Sequence, residues 1–261
     1  MQVTIQPSFI NGTIAAPPSK SHMQRALAAA LVKTGKTIIH NPGFSSDEKA
    51  AASIIQQLGA TIVFEDGSLT IQSSGIVPKS NGIDAGESGL STRLFTPIAA
   101  LAEQPITVTG KGSLLMRPVD LFEKVFLDLG VAVHSTNGFL PLQIKGPLRP
   151  ANIRIDGSVS SQYLTGLLMA FAASGAREVS IEVENLKSRP YIDLTLEVMK
   201  DFGLKLPENK NYKTFYFDDA QNPQPREVEC TIEGDWSGAA FLLVAGAISG
   251  DVVVTGLNSF S

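Results

Sequence analysis

Lys20 and Arg25 place two full positive charges at the head of a helix, in the run Pro17-Pro18-Ser19-Lys20-Ser21-His22-Met23-Gln24-Arg25 that closes a short apolar strand pattern. The apolar positions of that helix are Met23, Leu27, Ala30 and Leu31. A serine-rich opening leaves backbone N–H groups without intrahelical partners, and the helix dipole adds partial positive charge there. Such a place suits a small, multiply charged anion. A single opening is equally well read as N-capping by Ser19 or Ser21 beside two solvated cations.

The arrangement recurs twice. Gly86-Glu87-Ser88-Gly89-Leu90-Ser91-Thr92-Arg93 and Gly157-Ser158-Val159-Ser160-Ser161-Gln162-Tyr163 each offer hydroxyls and free amides at a helix opening. Second helices add Arg117-Pro118 and Ser188-Arg189-Pro190-Tyr191, with proline in a helix's first turn. Three openings in register with Lys20, Arg25, Arg93 and Arg117 favour a site for phosphate and carboxylate groups, bound by amides, hydroxyls and bidentate arginine.

Other chemistries fit badly. His22, His40 and His134 lack metal-ligand spacing, and the chain has no Walker A loop, dinucleotide-binding glycine fingerprint or G-x-S-x-G elbow. Asp47 and Glu48 follow Ser45-Ser46 and read as capping residues. Ser160 and Ser161 have no evident histidine partner and read as anion ligands. The single cysteine, Cys230, alternates with apolar neighbours and reads as core packing in a protein of a reducing cytoplasm.

The elements that must position these residues repeat along the chain. Helix-ending glycines stand at Gly59, Gly130 and Gly203, 71 and 73 residues apart, each followed by a short β-prone run. The helices before them are amphipathic, with Ile54, Ile55 and Leu58 in the first, Phe122, Val125, Phe126 and Leu129 in the second, and Ile192, Leu196, Met199 and Phe202 in the third. Strand patterns recur at 35–40, 104–109, 177–182 and 250–255, each after an alanine-rich helix predicted over 22–33, 90–102, 161–173 and 236–248. The unit is strand, polar turn, helix, strand, helix, strand and strand, so the chain is α/β and parallel pairing is expected within the repeated sheets. Pro207 to Gln224 is the most loop-like stretch, with a hairpin carried by Thr214-Phe215-Tyr216-Phe217. A fourth unit begins near Glu233 and reaches only its second strand by Ser261, so the chain reads as the opening part of a longer protein, with Trp236, Phe241 and Leu243 left uncovered.

With 261 residues, 43% hydrophobic and 18% charged, the composition is that of an ordinary globular protein. No apolar run reaches the roughly 18 residues of a membrane span, and no signal-peptide pattern opens the chain. A formal net charge of −4 gives no general support for a nucleic-acid partner.

At these residues the chain resembles the EPSP synthases, the 3-phosphoshikimate 1-carboxyvinyltransferase family of the shikimate pathway. The resemblance runs the whole length, through Pro18-Ser19-Lys20-Ser21 with Arg25, Arg117-Pro118, Asp156-Gly157-Ser158-Val159-Ser160-Ser161-Gln162, Ser188-x-Pro190-Tyr191-Ile192-Asp193 and Glu233-Gly234-Asp235. It implies two similar domains, each of three units about a pseudo-threefold axis in an inside-out α/β barrel, with substrates in the cleft between them. Residues 14–230 would form the first domain, and 1–13 with 231–261 part of the second.

The resemblance also implies roles. Lys20 would be a ligand shared by both substrates, and Ser21 and Arg25 would hold the shikimate moiety. Ser160, Ser161 and Ser188 would hold its 3-phosphate, Gln162 would lie between the substrates, and Tyr191 would flank the shikimate ring. Gly89 and Arg117 would meet phosphoenolpyruvate, with Arg93 nearby. The implied reaction transfers the enolpyruvyl group to the 5-hydroxyl of shikimate 3-phosphate and releases phosphate, in a monomer with no metal or organic cofactor. The family's Asn-x-Gly reads Glu87-Ser88-Gly89 here. The acid/base Asp and its Lys and Arg companions would lie beyond Ser261, so this chain alone is expected to bind but not turn over. UDP-N-acetylglucosamine enolpyruvyl transferases share the fold, but their catalytic cysteine lies in a first-domain loop, whereas Cys230 lies in a strand pattern. A non-catalytic anion-binding module is the alternative from another class.

Overall fold

A helix that is apolar on every side can only be stable inside the protein. The helix Lys20–Val32 (α1) is buried from Met23 to Val32, apolar on every side but for Gln24 and Arg25. Gly89–Ala99 (α3) is buried along its whole length, and Ser161–Ala173 (α5) from Tyr163 to Ala172. In the computed structural model these three pack against one another at the centre, and the sheets lie outside them. The structure describes the chain except residues 1, 2, 5, 7, 221–224, 226, 260 and 261. The predicted N-terminal segment and the loop to Gln224 therefore lie partly outside the described residues.

Each unit also has a second, amphipathic helix: Ser46–Gln57 (α2), Leu121–Asp128 (α4) and Arg189–Asp201 (α6). The strands are Ile10–Ala15 (β1), Gly35–His40 (β2), Thr61–Glu65 (β3) and Ser68–Ser73 (β4), then Gly82–Asp84 (β5), Pro105–Thr109 (β6), Ala132–Thr136 (β7) and Phe139–Lys145 (β8). Ile153–Asp156 (β9), Val179–Glu184 (β10), Glu208–Lys210 (β11) and Thr214–Phe217 (β12) complete the third unit, with the expected hairpin formed by its last two strands. Glu227–Thr231 (β13), the helix Trp236–Ser249 (α7) and Gly250–Thr255 (β14) follow.

Three four-stranded sheets result, in the orders β13-β2-β4-β3, β5-β6-β8-β7 and β11-β12-β10-β9. The expectation of parallel pairing holds for only one pair in each, β13–β2, β5–β6 and β9–β10. The others are antiparallel; in three of them, β3–β4, β7–β8 and β11–β12, the strands are joined by tight turns with two successive residues at positive φ, Asp66-Gly67, Asn137-Gly138 and Asn211-Tyr212. Turns of that hand and length connect only antiparallel neighbours. The first unit is completed out of sequence order. Strand β13 takes the place its own first strand would fill, and β1 pairs in parallel with β14, Ile10 against Gly250 through Ala15 against Thr255.

Two features set the spacing. Gly59, Gly130 and Gly203 end the second helices with φ of 124°, 71° and 66°, a conformation that only glycine adopts without strain. Gly166 lets α5 approach α3 until a Cβ there would meet the carbonyl oxygens of Arg93 and Leu94. Helix α7 is as apolar as the central helices, yet among its residues only Ala239 and Gly246 are buried, and Phe241 is 82% exposed. No described helix is long and apolar enough to cross a membrane.

The close approach of α3 and α5 makes a direct expectation. Gly166→Ala puts a methyl group against backbone that cannot rotate away, and overpacking of this sort costs about 1–3 kcal/mol. Urea denaturation should show the loss, and an unchanged midpoint would mean that the two helices are not held at this distance.

Candidate functional site

The three central helices point their N-termini the same way. Ser19, Ser88 and Ser160 cap them, accepting hydrogen bonds from the amides of His22, Ser91 and Gln162. Capping thus accounts for one serine at each opening, and the remaining groups face a cavity of about 560 Å³. The first turns of α2, α6 and α7 reach the same cavity through Asp47, Tyr191 and Ser237. Ten of the eleven residues singled out from the sequence line it: Lys20, Ser21 and Arg25 from α1, Gly89 and Arg117 from the second unit, Ser160, Ser161 and Gln162 at α5, and Ser188 and Tyr191 at α6.

Arg25 is 1% exposed. Its Nε donates to Thr195 Oγ1 at 2.9 Å and its Nη1 to the Ser21 carbonyl at 2.8 Å. Its Nη2 donates to the Tyr191 carbonyl at 3.3 Å and Thr165 Oγ1 at 3.5 Å, and the Tyr191 ring lies 5.7 Å away. Every partner is neutral. Burial therefore pushes the guanidinium down to about 10, only partly countered by Tyr191, and it stays cationic at neutral pH.

Arg93 does not line the cavity. It lies beneath the floor, its Nη1 donating to the Gly89 carbonyl at 3.3 Å and to Gln162 Oε1 at 3.1 Å, with the Tyr163 ring 5.1 Å from its guanidinium. Its spacing on α3, one turn after Gly89, turns it inward beneath that residue. Arg117 also differs from expectation. It follows a 3-10 turn, Gly112–Met116, and α4 starts only at Leu121, so Pro118 precedes the helix and does not sit in its first turn. Pro190 does start α6, where Ser188 takes the left-handed conformation with no side-chain cap. Asp47 is no cap either. Ser45 and Glu48 form the capping box of α2, and Asp47 crosses to Lys20, Oδ2 to Nζ 2.9 Å.

Gln24, which sequence reasoning passed over, is fully buried where α1 meets α3. Its Oε1 accepts from Ser88 Oγ at 3.0 Å and Ser91 Oγ at 2.9 Å, and its Nε2 donates to the Lys20 carbonyl at 3.4 Å. Together with Arg93–Gln162 between α3 and α5, and Arg25 with Thr165 and Thr195 between α1, α5 and α6, it closes a ring of polar links beneath the cavity. Its place one turn after Lys20 was the available signal.

The charges in the cavity wall are unevenly matched. Of its acids, Asp47 pairs with Lys20, Asp235 caps α7 through the amides of Ser237 and Gly238, and Glu87 lies against Gly112. Among the described residues no carboxylate lies within ion-pair distance of Arg25, Arg117 or Lys187. An anion in this cavity meets helix N-termini, serine hydroxyls and three such cations at once.

The remaining candidate groups lie elsewhere. Burial lowers His22, and His40 on β2 bonds Ser68 and Glu229 on its sheet. Among the described residues no three of His, Cys, Asp and Glu form a group able to hold a metal. Cys230 on β13 is half-buried against the core, and burial followed by the charge of Asp201 pushes its thiol up to about 12.

Comparison with known proteins gives a consistent picture. The sequence profile of EPSP synthase (3-phosphoshikimate 1-carboxyvinyltransferase) matches residues 5–260. The 3-phosphoshikimate 1-carboxyvinyltransferase of Clostridium kluyveri is 35% identical over 261 residues, covering 99% of this chain and 60% of its own length. That of Halobacterium salinarum is 36% identical over 269 residues, covering 99% and 61%. The chain thus spans about three-fifths of the length of these curated relatives. Among solved structures, EPSP synthase from Acinetobacter baumannii superposes with a TM-score of 0.80 at 23% identity, over 97% of this chain and 57% of that one. The enolpyruvyl transferase NikO from Streptomyces tendae gives 0.66 at 15% identity, over 95% and 58%.

The polar ring generates a stability expectation. Gln24→Leu keeps the volume but leaves the Ser88 and Ser91 hydroxyls without their acceptor, at about 1–3 kcal/mol for each buried group. Thermal unfolding followed by circular dichroism should register it. A melting temperature equal to that of the unaltered chain would remove Gln24 from the account.

Proposed function

The chain belongs to the EPSP synthase family, and on that premise we propose that its cavity holds shikimate 3-phosphate and phosphoenolpyruvate for enolpyruvyl transfer. The observation that carries this reading is the convergence of three capped helix N-termini on a cavity whose Arg25, Arg117 and Lys187 have no carboxylate partner among the described residues. Its volume, about 560 Å³, is ample for small ligands bearing several anionic groups.

In this reading Lys20 contacts both substrates, and exchanges Asp47 for them on binding. Arg25 and Ser21 hold the shikimate moiety against the Tyr191 ring. Ser160, Ser161 and Ser188 take the 3-phosphate. Gly89 and Arg117 receive phosphoenolpyruvate, Arg93 supports them from below, and Gln162 lies between the two ligands. The 5-hydroxyl of shikimate 3-phosphate attacks C2 of protonated phosphoenolpyruvate, and the tetrahedral adduct then loses inorganic phosphate to restore the enol ether. Each step changes charge at a group facing helix N-termini or arginine, where fixed dipoles stabilise it. The acid/base carboxylate that moves the protons is not assigned among these residues. The reading is of a monomeric cytoplasmic enzyme of small-molecule metabolism, with no cofactor and no nucleic-acid or membrane partner.

Calorimetry with shikimate 3-phosphate and with UDP-N-acetylglucosamine tests the ligand, and phosphate release on adding phosphoenolpyruvate tests turnover. Binding of the shikimate ester and not the nucleotide sugar is expected, and the reverse preference would overturn the reading. Ser161→Ala should weaken shikimate 3-phosphate by about 1.5–3 kcal/mol, the value of a hydrogen bond to a charged group. An unchanged constant in that variant would move the phosphate elsewhere.

Gly89 separates the two subsites. A Cβ there would lie 2.9 Å from Arg117 Nη1 and 3.0 Å from Arg93 Nη1, so Gly89→Ala displaces the arginine that meets phosphoenolpyruvate. The expected result is a higher apparent constant for phosphoenolpyruvate with that for shikimate 3-phosphate unchanged. Equal weakening of both would indicate collapse of the helix opening instead.

A further inference from the structure

We propose that Lys187 is a specificity-determining residue of the cavity, a cation that selects a phosphate monoester over the corresponding free alcohol. The proposal rests on the reading that a phosphate sits among Ser160, Ser161 and Ser188. Lys187 lines the cavity beside those serines, at the end of the loop that joins β10 to α6. The sequence motif singled out Ser188 and the residues after it, but not the lysine before it.

The loop is held so that Lys187 stays at this wall. The Gly157 amide donates to the Glu184 carbonyl at 2.8 Å, and a Cβ on Gly157 would lie 2.9 Å from Leu186 Cα. Asn185, at φ 52°, reaches Asp156 Oδ1 with its Nδ2 at 3.5 Å. The turn that leads into Ser160 and the loop that leads into Ser188 are therefore pressed together as one surface, and Lys187 projects from it.

Asp156, a carboxylate that feels the field of Lys187, does not consume this charge. Asp156 turns back on its own loop, accepting from the Ser158 amide and from Ser158 Oγ, each at 2.9 Å. Those two hydrogen bonds hold its carboxyl below the ordinary range, and the field of Lys187 adds only a lesser part. No ion pair joins them. The four cations of the cavity thus differ in circumstance. Lys20 is held by Asp47, Arg25 is enclosed by neutral acceptors, and Arg117 stands at Gly89 on the far side. Lys187 is the exposed one at the serines, on a flexible stem, and it meets a dianion as a mobile point charge. The alcohol lacking the phosphate offers it nothing.

The test is calorimetry on the full chain, with shikimate 3-phosphate and shikimate as probes, for the unaltered protein, Lys187→Met and Lys187→Arg. Lys187→Met should weaken shikimate 3-phosphate about tenfold, leave shikimate unchanged, and flatten the salt dependence of phosphate-ester binding. Lys187→Arg should retain most of the affinity. Equal affinity of Lys187→Met and the unaltered chain for shikimate 3-phosphate would overturn the proposal while leaving the reading of the site intact. Equal loss for both probes would likewise overturn it. An unaltered chain that binds the ester no better than the alcohol would overturn the reading of the site and this proposal together.

Discussion

Parallel helices that end at one point concentrate like charge there. Each N-terminus carries the equivalent of about half a positive charge, and α1, α3 and α5 bring theirs together over Arg25 and Arg117. Nothing in the centre of the molecule opposes this. Most of the interior along the three helices is apolar, and the buried polar side chains that link one helix to another form the ring of Gln24, Arg93, Gln162, Thr165, Thr195 and Arg25. That ring pairs most of its buried donors and acceptors, Arg93 Nε excepted, without supplying a negative charge. In the proposed reading that field, more than any single side chain, is what draws anions to the cavity.

The repeat creates this geometry cheaply. One unit needs a central helix without a polar face, a second helix ended by glycine, and a tight antiparallel turn, and three copies then place their helix openings together. Departures from the repeat mark the places where the cavity is specialised. Only the second unit has a 3-10 turn before its second helix, and that turn delivers Arg117 to Gly89. Only the third has a left-handed Ser188 with Lys187 before it. The first has Asp47 against Lys20 at the cavity wall.

Most of the fold was legible because it is written in periodicities. The four alanine-rich helices, the glycines at 59, 130 and 203 and the hairpin at Thr214–Phe217 follow from local preferences that the packing reinforces. Strand direction was not legible, since it depends on turn hand and on β13 displacing β1, which no local pattern records. At the site the residue types were legible and their depth was not. Arg93 and Arg117 look alike in sequence, yet one is under the floor and the other in the wall, because helical spacing from Gly89 turns the first inward. Asp47 was misread for a similar reason, as Glu48 alone completes the capping box and leaves its neighbour to face the cavity. Gln24 was passed over because an amide announces no chemistry until its two serine partners on another helix are seen.

The central claim is that three helix openings from three repeats form one anion site. It is tested most directly by following the backbone amides of Ser21, Gly89 and Ser161 by nitrogen-15 nuclear magnetic resonance, during titration with shikimate 3-phosphate and then phosphoenolpyruvate. The account predicts that Ser21 and Ser161 shift together with one dissociation constant on the first addition, and that Gly89 follows on the second. Shifts confined to a single opening, or three unrelated constants, would contradict it.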